Sequence, residues 1–281
     1  MKDQSIYISG ATGFIGRNLI PSLLNIYKQV INFTRRETIQ IYSKNNLVEQ
    51  KISIDFLDSN PSNEFINLAT LYVPNPNSLS EMKDLLEANI LFPMRTLEIL
   101  NGLDNLKVIN ALSYTQLLDF PNQNIYSLTK EIFKKFLFFN KSLNIVNLYL
   151  FDTFGEKDVR NKVTDVFIRN ILSGSPITIP ENEVNINLAH NSAIAESFIQ
   201  SIALDPGDYC IKSPNTISLE SLAILIMDIT EKEGKIFKKN SVIDPFKFIK
   251  SYPENIFKAP KGYNFKKLLE IRIQEILNSE F

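Results

Sequence analysis

One cysteine, one histidine and no tryptophan occur in this chain. The lone Cys210 excludes an intramolecular disulfide, and with only His190 beside it there are too few soft ligands for a zinc site, so no metal is expected. A chain without a disulfide framework fits a reducing cytoplasm, which is the expected location. A surplus of either charge is missing as well, with 30 Lys and Arg against 31 Asp and Glu. Such a balance sets up no global field to gather polyanions or to hold an acidic bilayer, so neither nucleic acid nor membrane is an expected partner. Long apolar runs are also lacking. Ile132–Phe139 and Leu222–Ile229, the most apolar later segments, fall far short of the roughly 20 residues that cross a bilayer. Gly10, Gly13 and Arg17 interrupt the amino-terminal stretch that could pass for a signal peptide.

What is present is core material and alternation. Hydrophobic residues make up 44% of the 281, enough for one large α/β domain or a nucleotide domain with an appendage. Ser5–Ser9 is a β-rich run that stops at Gly10, after which Phe14, Ile15, Leu19, Leu23 and Leu24 recur at helical spacing. Strands are predicted at Val30–Phe33, Ile52–Ile54, Phe65–Ala69, Val108–Leu112 and Ile145–Phe151, with helices over Ser80–Leu100, from near Tyr126, and over Val159–Leu172. Strands alternating with helices imply a parallel sheet. Past a strand at Ile177–Ile179 the grammar changes. A helix Ala193–Leu204, a strand Tyr209–Ile211, a Ser218-capped helix to Glu231 and a last helix Phe265–Leu277 read as a smaller lobe. The expected division is 1–154 for a nucleotide domain and 155–281 mainly for a substrate lobe, with chain exchange between them.

Ser9-Gly-Ala-Thr-Gly-Phe-Ile-Gly16 places Gly10, Gly13 and Gly16 directly after the first strand and at the mouth of the first helix. One glycine makes the tight turn, one lets backbone approach a pyrophosphate, and one lets helix and strand pack closely, while the helix end offers unpaired N–H groups. This is a Rossmann dinucleotide signature, and the loop residues Thr12, Phe14 and Ile15 are expected at the cofactor with the glycines. The second strand ends Phe33-Thr34-Arg35-Arg36, with no acid for a ribose 2′-hydroxyl. Arg35 and Arg36 instead offer bidentate donors to a 2′-phosphate, which favours NADPH. Asp55, after the third predicted strand, and its neighbour Phe56 are candidates for the adenine side.

Tyr126-Ser-Leu-Thr-Lys130 brings a phenol and an ammonium to one helix face at i and i+4. A nearby cation favours phenolate, so Lys130 is expected to depress the Tyr126 pKa and make it a usable acid toward a forming alkoxide. Ser113, at the end of a strand, lies where a parallel sheet places ligand-binding residues and can orient the same oxygen. His190 reads as a polar residue preceding a helix, and Cys210 as a small core residue.

GATGFIG, the Leu68-Ala69-Thr70 strand end, Glu87-Ala-Asn89, Ser113 and Tyr126-xxx-Lys130 occur in the order seen in the extended short-chain dehydrogenase/reductase, or NAD-dependent epimerase/dehydratase, family, which this chain resembles. The resemblance implies a doubly wound Rossmann sheet with a small carboxyl-terminal substrate lobe, a homodimer, and Leu68, Ala69, Thr70, Asn89 and Lys130 at the cofactor. Within the family, the run Glu87–Glu98 and the short interval from Ser113 to Tyr126 are most similar to the CDP-paratose and CDP-abequose synthases, which are NADPH-dependent 4-ketoreductases. Tyr72, Ser113, Tyr114 and Asp152 are then expected at a nucleotide-sugar substrate. The family's dehydratases carry an acidic pair where this chain has Tyr114-Thr115, which disfavours dehydration. Its Arg-Asp-Phe segment appears here as Ile186-Asn187-Leu188, so Lys162 or Arg169 would have to replace the arginine contact with substrate pyrophosphate. The expected reaction is reduction of a nucleotide-linked 4-ketodeoxysugar for surface polysaccharide synthesis. A nucleotide-sugar epimerase of the same fold and a non-catalytic NADP-binding protein are the alternatives.

Overall fold

The computed structural model describes residues 2–36, 38–103, 105–119 and 124–280. The first half runs β1 (Lys2–Ser9), α1 (Phe14–Leu24), β2 (Tyr27–Phe33), β3 (Thr38–Ser43), β4 (Asn46–Lys51), α2 (Ile54–Ser59), β5 (Glu64–Asn67), α3 (Leu79–Leu86), α4 (Phe92–Ile99), β6 (Lys107–Ser113) and α5 (Ile125–Phe139). The second half runs β7 (Asn144–Leu150), β8 (Asp152–Phe154), α6 (Val163–Ser173), β9 (Ile177–Ile179), β10 (Asn185–His190), α7 (Asn191–Ser201), β11 (Gly207–Ile211), β12 (Thr216–Ser218), α8 (Leu219–Thr230), β13 (Ile236–Lys238), β14 (Glu254–Asn255) and α9 (Phe265–Glu280).

Among the described residues nine strands form one sheet in the order β14-β11-β7-β6-β5-β1-β2-β3-β4. Every neighbouring pair is parallel except β2–β3 and β3–β4. Ile6 and Ile8 of β1 pack with Leu19 and Leu23 of α1 and Phe198 of α7, whereas Tyr7 packs with Phe92 of α4 and Phe133 of α5. The sheet is therefore wound on both faces, which is why its central strands are apolar on both sides. The order reverses at β1, flanked by β2 and β5, and ligands of open α/β sheets bind outside the carboxyl ends of strands at such a point. A second core joins Phe167 and Ile171 of α6, Leu222 and Ile226 of α8, and Leu269 and Ile273 of α9. Between these helices the chain returns to the main sheet, where Ile194 and Phe198 of α7 and Ile211 of β11 share the core of Ile6 and Ile8.

Two expectations are corrected. Ile52–Ile54 is not a strand: the Ser53 hydroxyl accepts the N–H of Phe56 and caps α2, with Asp55 in its first turn where an acid favours the helix dipole. The position beside β2 is taken by the antiparallel β3–β4 hairpin, turning at Lys44 and Asn45. The helix expected from Val159 begins only at Val163, because Lys157 and Asn161 take left-handed backbone (φ 60° and 54°).

Beneath α5, a row of buried amides crosses the sheet in register. Ser9 Oγ donates to Asn67 Oδ1 (2.7 Å), Asn67 Nδ2 to Asn110 Oδ1 (3.0 Å), Asn110 Nδ2 to Asn147 Oδ1 (3.2 Å) and Asn147 Nδ2 to Asp208 Oδ1 (2.9 Å). All the donors point toward the carboxylate, so each buried amide is satisfied by its neighbour one strand away. At one end Lys134 of α5 closes the row on Asp208; at the other Ser9 Oγ accepts the N–H of Ala69 (3.3 Å).

Candidate active site

Gly10 sits at φ +78°, and a Cβ on it would lie 2.8 Å from the backbone nitrogen of Ala69. A Cβ on Gly16 would lie 2.3 Å from the Gly10 carbonyl oxygen, so only glycine lets α1 start against the turn. At Gly13 the nearest atom to such a Cβ is the Gly10 carbonyl oxygen at 3.2 Å, and with exposed Thr12 it leaves the mouth of α1 open. No side chain caps this helix. Phe14 and Ile15 are the first two residues of α1, so their backbone N–H groups belong to its mouth, and the Phe14 side chain is buried. The cradle has the shape and the unpaired donors a pyrophosphate requires.

Leu68 and Ala69 lie buried against β1, the Leu68 N–H donating to the Ser9 carbonyl (3.1 Å). Asn89 anchors the next two residues of this loop. Its Oδ1 accepts from Thr70 Oγ1 (3.2 Å) and the Leu71 N–H (2.8 Å), and its Nδ2 donates to the Leu71 carbonyl (3.1 Å) and Thr129 Oγ1 (3.0 Å). Both donors and both acceptor sites are used and the residue is 1% exposed, so the Asn89 side chain holds the loop to α5. It occupies a π-helical turn, Glu87–Leu91, in which the Phe92 N–H reaches back to the Glu87 carbonyl. Pro93 has no N–H to offer the Asn89 carbonyl, which relaxes the helical register there. Asn89→Ala removes four hydrogen bonds, to Thr129 Oγ1, Thr70 Oγ1 and the Leu71 amide and carbonyl, and is expected to destabilise the protein by roughly 3 kcal/mol, measured by urea denaturation.

Tyr126 and Lys130 lie on the buried face of α5, which Asn124 caps by accepting the Ser127 N–H (2.8 Å). Lys130 Nζ donates to the carbonyls of Ala111 (3.2 Å) and Ala69 (3.4 Å), at the ends of β6 and β5. Burial pushes its pKa down to about 7. Burial likewise pushes the Tyr126 phenol up to about 12, with a hydrogen bond to Thr70 and the charge of Arg160 acting against it. The expected depression of this pKa by Lys130 is thus corrected: desolvation outweighs every nearby group, and the opposing cation is Arg160. The Tyr126 ring meets that of Tyr72 edge-on at 4.9 Å. Ser113 Oγ is hydrogen-bonded to Thr115 Oγ1 (2.8 Å), which also accepts from Ser127 Oγ (2.7 Å).

Beyond β7, Asp152 Oδ2 is shielded from solvent and has no hydrogen-bond partner among the described residues. Burial raises the Asp152 pKa, opposed by Lys162 and Arg160. Lys162 Nζ stands 3.7 Å over the Tyr72 ring. Tyr114 stacks on Phe151 at 5.0 Å, and burial followed by the Asp152 charge raises its pKa. Tyr72, Tyr114, Tyr126, Asp152 and Lys162 are therefore linked by contact or by charge. Arg169 is not: its guanidinium is taken by Glu280 of α9 (2.7 and 2.9 Å) and Asn161. Asp55 is exposed on α2 and Phe56 packs against the sheet core, since the strand expected to present them is absent. Arg35 and Arg36 are exposed directly after β2. His190 caps α7, its ring nitrogens 2.9 Å from Ser192 Oγ and Glu156 Oε2, the local role read from sequence.

Residues 6–186 match the NAD dependent epimerase/dehydratase family, and the chain belongs to it. It is 25% identical over 275 residues to the CDP-abequose synthase of Yersinia pseudotuberculosis, covering 90% of this chain and 94% of that one. Among solved structures it is similar to the UDP-glucose 4-epimerase of Thermotoga maritima solved with UDP-glucose (17% identity, TM-score 0.75, 98% of this chain and 99% of that chain). It is also similar to WbmF of Bordetella bronchiseptica, solved with NAD+ (21%, TM-score 0.71, 98% and 93%). These likenesses show the fold. No helix among the described residues is long and apolar enough to cross a membrane.

Proposed function

We propose that the protein is an NADPH-dependent 4-ketoreductase of a nucleotide-linked deoxysugar serving surface polysaccharide synthesis. The observation that carries this reading is a buried phenol, Tyr126, one helical turn from Lys130 and beside the loop that packs on the glycine cradle, where burial raises its pKa and favours the protonated form. When bound, the reduced nicotinamide supplies the hydride. Tyr126 gives its proton to the developing alkoxide, Ser113 donates to the same oxygen, and Lys130 holds the nicotinamide ribose. Asp152, with an unpartnered carboxyl oxygen, accepts a substrate hydroxyl, and Lys162 faces the diphosphate. The relationship to a CDP-abequose synthase supports reduction of a CDP-linked sugar. Residues 1–154 then carry the dinucleotide and the reacting groups, and 155–281 mainly a nucleotide-sugar-binding lobe that adds Lys162, with α7 and β11 exchanged into the first. The apolar surface of α3, the π-helical turn, α4 and α5, with Leu79, Leu91, Met94, Phe136 and Phe139 exposed, supports a homodimer through those elements.

Arg35 and Arg36 supply the NADPH preference. Mixing the protein with NADPH and CDP-, dTDP-, UDP- and GDP-4-ketosugars should consume reduced nicotinamide stoichiometrically with one of them. The double variant R35A/R36A should raise the NADPH KM about tenfold or more and leave the NADH KM near its starting value. Product formed without nicotinamide consumption would make the enzyme an epimerase.

A further inference from the structure

The segment between β8 and α6 arches back over the mouth of α1. Gly155, Lys157 and Asn161 all take positive φ (148°, 60° and 54°), and the last helix fixes the arch. The Lys157 N–H donates to Glu275 Oε1 (2.9 Å), and Arg272 Nη2 donates to the Asp158 carbonyl (2.6 Å) while pairing with buried Asp165. Asp158, 3% exposed, takes Nε (2.7 Å) and Nη2 (2.6 Å) of Arg160. Nη2 also donates to Thr153 Oγ1 (2.9 Å) and the Thr153 carbonyl (3.2 Å). One edge of the guanidinium is thereby immobilised, and its Cζ lies 4.0 Å from the centroid of the ring of Phe14, the first residue of α1. The other terminal nitrogen, Nη1, has no hydrogen-bond partner among the described residues. A guanidinium locked on one edge and open on the other, above a helix mouth with no side-chain cap, is a preorganised donor to an anion.

We propose that Arg160 is a diphosphate-binding residue whose free Nη1 donates to the pyrophosphate of the dinucleotide seated on the glycine cradle. The assignment rests on the proposed dinucleotide-dependent function. It makes the arch, and through Arg272 and Glu275 the carboxyl-terminal helix, part of the cofactor site. Phe14 places the guanidinium on the cofactor's side of the cleft, although a substrate diphosphate shares the same chemistry.

Calorimetric titration of wild type, Arg160→Gln and Arg160→Lys with NADPH, with adenosine 2′-monophosphate, and with CDP and UDP at saturating NADPH tests the proposal. Arg160→Gln should weaken NADPH about ten- to a hundredfold and leave adenosine 2′-monophosphate, which lacks the diphosphate, within twofold of wild type. Arg160→Lys, with the charge but not the fork, should fall between. If the glutamine variant does not fold, the lysine variant carries the test by the same contrast. Equal NADPH affinity in the variants would overturn the proposal, as would a loss shared by adenosine 2′-monophosphate or one confined to CDP and UDP. A wild type that binds no NADPH at all would instead overturn the proposed ketoreductase function.

Discussion

Tyr126→Phe is expected to lower kcat at least about a thousandfold while NADPH binds within twofold of wild type. The substitution removes one oxygen from a side chain 7% exposed and keeps the ring that packs against Tyr72 at 4.9 Å. The hydrogen bond to Thr70 goes with it, but Thr70 still donates to Asn89, so the loop keeps its anchor. What is lost is the proton. Burial holds the phenol near 12, so it stays protonated throughout the neutral range, and an alkoxide is basic enough to take that proton. The rate should therefore show no titration of Tyr126 in the free enzyme below about pH 11, in contrast to a phenol depressed by its lysine. Single-turnover NADPH oxidation in wild type and variant, alongside NADPH binding, checks both statements. A variant keeping more than a tenth of the rate would remove Tyr126 from the chemistry.

The parts of the site that sequence made legible are those whose chemistry is local. Gly10, Gly13 and Gly16 are demanded by contacts inside one turn and with the adjoining loop, and Tyr126 with Lys130 needs only helical spacing. The β3–β4 hairpin was hidden because β4 is an edge strand exposed at nearly every position, with no apolar alternation to betray it. Ile52–Ile54 is a short apolar run that suits strand or helix, and the Ser53 cap decided it. The late start of α6 was hidden because its left-handed turns are made by Lys157 and Asn161 rather than glycine. Arg160 escaped for a different reason. Nothing in the order of residues reveals that it lies on Phe14, and the only available signal was an arginine two residues from an aspartate just past the strand that carries Asp152. The asparagine row is similar: each amide is visible in its own strand, but the register joining Ser9 to Asp208 exists only once the sheet has formed.

Lys130→Met is expected to abolish turnover and yet stabilise the fold at neutral pH. Lys130 is 2% exposed, and burial lowers its pKa from 10.5 to about 7. Between those values the unfolded chain holds a proton that the folded chain has released, so wild-type stability rises with pH across that window. Below pH 7 the folded protein carries nearly the full penalty of a buried ammonium, about 5 kcal/mol at 1.36 kcal/mol per pKa unit. Methionine fills the same space without a charge, but it leaves the carbonyls of Ala69 and Ala111 unpaired, which offsets roughly half of that gain. The variant should therefore be about 2 kcal/mol more stable than wild type near pH 6.5, and the difference should vanish or reverse by about pH 10, where little of the wild-type penalty remains. Urea denaturation at the two pH values reads this directly. A difference that stays constant with pH would mean that Lys130 is no ammonium held at a loss. A difference that closes with rising pH identifies a charge retained against the stability of the fold, and such a conflict is characteristic of a functional site.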